Sequence, residues 1–230
     1  PLYYIQSAGL ILVFLFIAKE YNDLPEIRSV KPSIRFVSGI REVLEEGVAV
    51  KRWILCMSMS TLSFFMSSTY LPLFIKEVKQ GDQYVLGAVA TASMVVPLAL
   101  AIPTGRLADS IGRKKVIYIT TLIYCASLAL VIYAPNPTFL ILSGVLQGFW
   151  ILAGVTQGAM SAELVPMRLL GRWYGLLGVF RGIISVVAPL IGGVIWSAVS
   201  PTHVLTFIIF AQSLKLLVLW SMIPETLRAS

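Results

Sequence analysis

Eleven carboxylates and eighteen Lys and Arg residues carry nearly all the charge of this 230-residue chain, and several sit where a charge needs a reason. Between the apolar runs GAVATASMVVPLALAIP and VIYITTLIYCASLALVIY lies TGRLADSIGRKK, holding Arg106, Asp109, Arg113, Lys114 and Lys115. An arginine such as Arg113 can grip a carboxylate bidentately. Glu163 is available to it, and Arg172 is close enough to Glu163 in sequence to join the set. Asp109 can face the positive end of a neighbouring helix, worth roughly 0.3 to 1 kcal/mol when exposed and up to about 2 when partly buried. Gly105 and Gly112 permit a sharp connection and close helix approach. These groups offer ion pairing rather than bond chemistry. No hydrolytic triad, metal-ligand cluster or phosphate loop is visible, so no enzyme activity, metal or cofactor is expected.

A second set of polar groups lies inside apolar runs. Ser60, Ser63, Ser67 and Tyr70 recur at helical spacing, as do Gln147, Trp150, Gly154, Gln157 and Ser161. Such stripes suit a solute path with hydrogen-bonding groups and an aromatic platform; they also glue helices together in lipid, and both readings stay open. Arg181 and Lys215 are the intramembrane cations. Both can snorkel towards the headgroups, the expectation for Lys215; for Arg181, pairing with an acid outside this chain or attracting an anionic solute is equally open. None of the acidic residues falls in mid-membrane, so these residues supply no carboxylate for proton coupling.

The elements that must position these groups are membrane helices. The chain is 57% hydrophobic and 13% charged, with a mean hydropathy of +0.86, outside the range of a soluble domain. A bilayer core needs about 20 apolar residues per helix. Six runs qualify: Trp53 to Ile75, Val85 to Thr104, Val116 to Ala134, Thr138 to Ser161, Trp173 to Ser200 and Thr202 to Ile223. Leu2 to Ala18 reads as the end of an earlier span. In the polar region 19–51, Ile34, Val37, Ile40, Leu44 and Val48 share one helical face, predicting an amphipathic surface helix that starts at Pro32 with Ser33 as N-cap. Fourteen of the Lys and Arg residues fall on one side of the membrane and only Lys76 and Lys79 on the other. The first side is therefore expected to be cytoplasmic. The same asymmetry accounts for the basic balance without nucleic acid. Cys56 and Cys125 lie in apolar runs and read as buried hydrophobes. Pro97, Pro103 and the APLIGG stretch fit kinked or closely packed helices, and His203 is expected to be exposed in an outer loop.

GRLADSIGRKK resembles motif A of the major facilitator superfamily, with Gly105, Arg106, Leu107, Asp109, Gly112, Arg113 and Lys114 in its places. The segment holding Glu163, Pro166, Gly171 and Arg172 is similar to the loop joining spans four and five of a half-transporter, and IPETL resembles the close of many such chains. The resemblance implies an all-α membrane protein: residues 1–18 as the last helix of an N-terminal half, 19–51 as a cytoplasmic linker, 52–223 as the C-terminal six-helix half and 224–230 as a cytoplasmic tail. It implies a secondary transporter of a small organic solute in the plasma membrane, working by alternating access, coupled if at all to H+ or Na+. The upstream half of the same polypeptide would be its partner. Asp109, Arg113, Glu163 and Arg172 would latch the cytoplasmic gate, with Lys114 and Lys115 chiefly setting topology. Ser60, Ser63, Ser67, Tyr70, Gln147, Trp150, Gln157 and Arg181 would line the cavity. The glycine-proline motif of drug antiporters is only approximated, since Ala188 replaces a glycine. Seven apolar segments leave a seven-helix receptor or a membrane scaffold as the alternative.

Overall fold

The computed structural model describes residues 2–20, 36–223 and 225. The chain divides into two compact units, residues 1–35 and 36–230. The first holds one helix, α1 (Leu2–Glu20), whose apolar stretch Gly9–Lys19 is shorter than the spans that follow. Pro32 and Ser33, the predicted helix start, lie outside the described residues.

The second unit opens with the amphipathic helix α2 (Phe36–Glu45). Val43 is its fully buried residue, with Ile40 and Leu44 half-buried beside it. Rather than lying only on a membrane surface, α2 packs against the spans. Val48 does not belong to it: Gly47, at φ +144°, breaks the chain, and Val48 begins α3 (Val48–Glu77) with an exposed side chain.

Five more helices of bilayer length follow: α4 (Gln83–Ile111), α5 (Arg113–Tyr133), α6 (Pro137–Glu163), α7 (Leu170–Ala198) and α8 (Pro201–Met222). Their ends follow local chemistry. Asp82 accepts from Val85 N at 2.8 Å and caps α4, and Asn136 accepts from Phe139 N at 3.3 Å ahead of Pro137 in the first turn of α6. At helix C-termini lysines take over: Lys79 Nζ donates to the carbonyls of Ile132 and Ala134 at the end of α5. TGRLADSIGRKK is not a loop. Its residues up to Ile111 continue α4. Gly105 is mid-helix with open space around it, so Gly112 alone makes the turn.

The main packing pairs run α4 with α6, α6 with α5, α5 with α8, α8 with α3, and α3 with α7. This series leaves α3 and α6 facing each other across an opening. The backbones of α4 and α6 approach closely, since a Cβ on Gly144 would meet Val89 O at 2.6 Å and one on Gly148 would meet Ser93 O at 2.7 Å. Glycines four apart let backbones touch in lipid, where hydrophobic burial does not drive association. One core cluster gathers Met66, Tyr70, Phe74, Leu128 and Ile208, the other Trp53, Ile117, Met160, Trp173 and Leu219.

Candidate functional site

Helix ends carry charge of fixed sign, negative at the C-terminus and positive at the N-terminus. Glu163 is the last residue of α6 and Arg113 the first of α5, so each sits where its own helix disfavours it. They pair: Arg113 Nη1 lies 2.7 Å from Glu163 Oε1, and Nη2 lies 3.6 Å from Asp109 Oδ1 in the last turn of α4. The Arg113 side chain is 16% exposed, against 36% for Glu163 and 70% for Asp109. One guanidinium thus ties α4, α5 and α6 at the basic end of the bundle, leaving most of Asp109 open.

Arg172 does not join this set. It pairs with Glu42 on α2, and Arg168, in the turn before α7, pairs at 3.5 Å with Glu46, the residue after α2, so the two arginines fasten the α2 region to the start of α7. Their partners come from a polar segment with no motif to mark them. Arg106, Leu107 and Lys115 are exposed. Lys114 does more than carry charge: its Nζ donates to the carbonyls of Trp220 (2.9 Å) and Ile223 (2.8 Å), closing the end of α8, and lies 5.9 Å from the Trp220 ring centre. The Glu225 carboxylate completes the junction, accepting from the backbone N–H of Arg113 (3.2 Å) and Lys114 (3.1 Å).

Between α3 and α6 lie two cavities of about 440 and 400 Å³ that share Phe64 and Trp150 as a common wall. Ser67, Gln147 and Trp150 line the first; Ser60, Trp150, Gln157 and Arg181 line the second. Trp150 stacks on Phe64 with ring centres 6.5 Å apart and leans on Tyr124 at 4.9 Å. Ser63 and Tyr70 line neither cavity. Ser63 is fully buried, and its hydroxyl has no hydrogen-bond partner. Tyr70 donates to Pro189 O at 2.7 Å, its ring set against Gly192 and Trp196 of α7. On α3 the cavities are lined by Ser60, Phe64 and Ser67 with Ser58, Thr61 and Ser68 beside them, and a polar stripe alone does not point to Phe64. Ser161 does line the second cavity, and it also holds the helices together, receiving Trp53 Nε1 on its hydroxyl at 2.6 Å and Trp173 Nε1 on its carbonyl at 2.9 Å.

Lys215 does not snorkel. It is 2% exposed, donates to Thr121 Oγ1 at 3.1 Å and lies 5.5 Å from the Trp150 ring centre. Its direction follows from α8 packing against α3 and α5, which the apolar sequence of α8 leaves open. The available signal was Gln212, a second polar residue three positions earlier and also fully buried.

Comparison with known proteins agrees with this architecture. Over 216 residues the chain is 25% identical to the citrate-proton symporter of Klebsiella pneumoniae, covering 86% of this chain and 47% of that protein. It is 28% identical over 156 residues to the multidrug efflux pump SdrM of Staphylococcus aureus, covering 65% and 33%. The fold matches the crystal structure of the human organic anion transporter MFSD10 (TETRAN) with a TM-score of 0.61 at 17% identity, covering 77% of this chain and 47% of that one. The chain thus spans less than half the length of these relatives. The family model for the Major Facilitator Superfamily matches residues 53–228, and the chain, a multi-pass helical membrane protein, belongs to that superfamily.

Proposed function

We propose that this chain forms one six-helix half of a secondary transporter that moves a small organic solute by alternating access, the solute sitting between α3 and α6. Residues 52–223 form that half, 19–51 link it to a partner half elsewhere in the polypeptide, and 1–18 end that partner half. The basic end faces the cytoplasm of a cell bounded by the plasma membrane, as its excess of Lys and Arg supports.

The observation that carries this reading is Arg113, held by Glu163 and Asp109 against the preferences of its own helix end. This ion pair ties three helix ends of one half, and it can loosen and re-form as Asp109 loses and regains a contact with the partner half. Asp109, largely open, is left to meet a helix N-terminus of the partner half. Uptake and efflux use the same parts. Coupling to H+ or Na+ would draw on carboxylates of the partner half.

The test is flux of labelled citrate, glucose and ethidium through the complete polypeptide in proteoliposomes, alongside two-sided labelling of single cysteines at the basic end. Asp109→Asn and Arg113→Ala are expected to open the basic end to labelling and to slow flux at least tenfold. Unchanged labelling and flux in both variants would sink the gate assignment.

A further inference from the structure

Three lysines of this unit donate to groups far from their own helix turn, and one differs from the others. Lys79 and Lys114 each reach two carbonyls at a helix C-terminus, where the helix dipole favours a cation. Lys215 lies seven residues from the end of α8, about 10 Å into the membrane at 1.5 Å per residue. It donates to one neutral hydroxyl, Thr121, and has the Trp150 face as its other cation-stabilising neighbour. An ammonium can make three such bonds. Unpaired charge inside the membrane is costly and is kept where it pairs or meets a water-filled path. Among the described residues no carboxylate pairs with Lys215, and no Asp or Glu lines the two cavities or the small void beside Lys215.

Position gives this spare charge a use. A small void connects Lys215 with Ser60 and Gln157, and those two residues are also wall of the 400 Å³ cavity. Arg181 stands on the α7 side of the same cavity with no ion pair among the described residues. Trp150 lines that cavity while its ring covers the ammonium. Arg181 on the wall and Lys215 behind Trp150 therefore stand on two sides of a space walled by hydroxyl, amide and aromatic groups, and among the described residues no carboxylate pairs with either. Gln212, one turn before Lys215, is fully buried with both amide atoms unpartnered, so the interior holds further unspent polar capacity.

We propose that this cavity takes an organic anion, whose anionic group is held between Arg181 and Lys215 once the Trp150 ring moves off the ammonium. The proposal rests on the transporter reading and names its substrate class. Ser60 and Gln157 hydrogen-bond the anionic group or its neighbour, and the Phe64 and Trp150 rings take the apolar body. The positive field in a low-dielectric wall disfavours cationic solutes by the same interaction that favours anions.

The experiment uses the complete polypeptide in phosphatidylcholine vesicles, so that no anionic lipid headgroup competes. Binding of citrate, benzoate and p-aminohippurate is read from tryptophan fluorescence, with Trp150→Phe identifying the reporting ring; flux is read for the same anions and for glucose and ethidium. Saturable anion binding is expected, weakened at least tenfold by Lys215→Met and restored to within threefold by Lys215→Arg. Lys215→Met should melt no lower than the native protein, because an unpaired buried charge has been removed. No binding of any of the three anions, or equal binding by Lys215→Met, overturns the proposal. Flux of glucose or ethidium without anion binding overturns it while leaving the transporter reading standing. Anion binding without flux of any probe supports the site and strikes at the transporter reading.

Discussion

Arg113 and Glu163 meet at 2.7 Å although one begins a helix and the other ends one, each at the pole that repels it. The pair is half-shielded from water, which places its coupling near the upper end for exposed pairs, about 1 kcal/mol. A double-mutant cycle with Arg113→Ala and Glu163→Gln, read by thermal unfolding in detergent, should show that coupling. Glu163→Gln alone should be the milder change, since it also relieves a carboxylate at a helix C-terminus. Additive effects of the two substitutions would mean that the pair contributes nothing.

Gly112 turns the chain between α4 and α5 at φ +104°, and a Cβ there would meet Glu225 Oε2 at 2.7 Å. Gly112→Ala is expected to destabilise by about 1 to 3 kcal/mol from backbone strain. Gly105→Ala, in open space within a helix, should be neutral or slightly stabilising. Comparing the two melting temperatures separates a turn glycine from one that only looks like its pair.

Gly144 and Gly148 are points of close backbone packing between α4 and α6. Gly148→Val should cost about 1 to 3 kcal/mol by overpacking against the α4 backbone. Gly154→Ala on the same helix meets nothing within 4 Å and should stay within about 0.5 kcal/mol of the native protein. Equal melting temperatures for the two variants would refute the close-packed assignment.

Tyr70→Phe removes the hydroxyl that donates to Pro189 O while keeping the ring, for an expected loss of about 1 kcal/mol. Because Tyr70 lies off the cavity wall, the half-saturation concentration for a transported solute should not move. A shift of threefold or more would return Tyr70 to the solute path.

The spans were legible because a bilayer imposes a length that an apolar run must meet, and all six helices fall on the runs that meet it. The helix ends were less so. Gly105 is the one weak helix former in TGRLADS and does not end the helix, so α4 continues to the residue where φ turns positive. The inward and sideways faces of α3 were confused for a similar reason. Ser60, Ser63 and Ser67 all lie within one broad sector of a 3.6-residue period, and only the neighbouring helices decide that Phe64 lines the cavity and Ser63 does not. Snorkelling and burial of Lys215 use the same side chain, and rotation of α8 chooses between them. Arg172 was assigned by proximity along the chain, whereas its partner Glu42 lies 130 residues away.

Glu225 changes how the chain beyond α8 should be handled. The stretch reads as a tail, yet its carboxylate stands in for the missing cap of α5 and keeps two backbone donors occupied. An expression clone cut after residue 223, or a purification tag fused there, removes that cap from the very turn that aims Arg113 at Glu163. Shortening this end for crystallisation would thus alter the charged junction from a position no one would have thought to mutate.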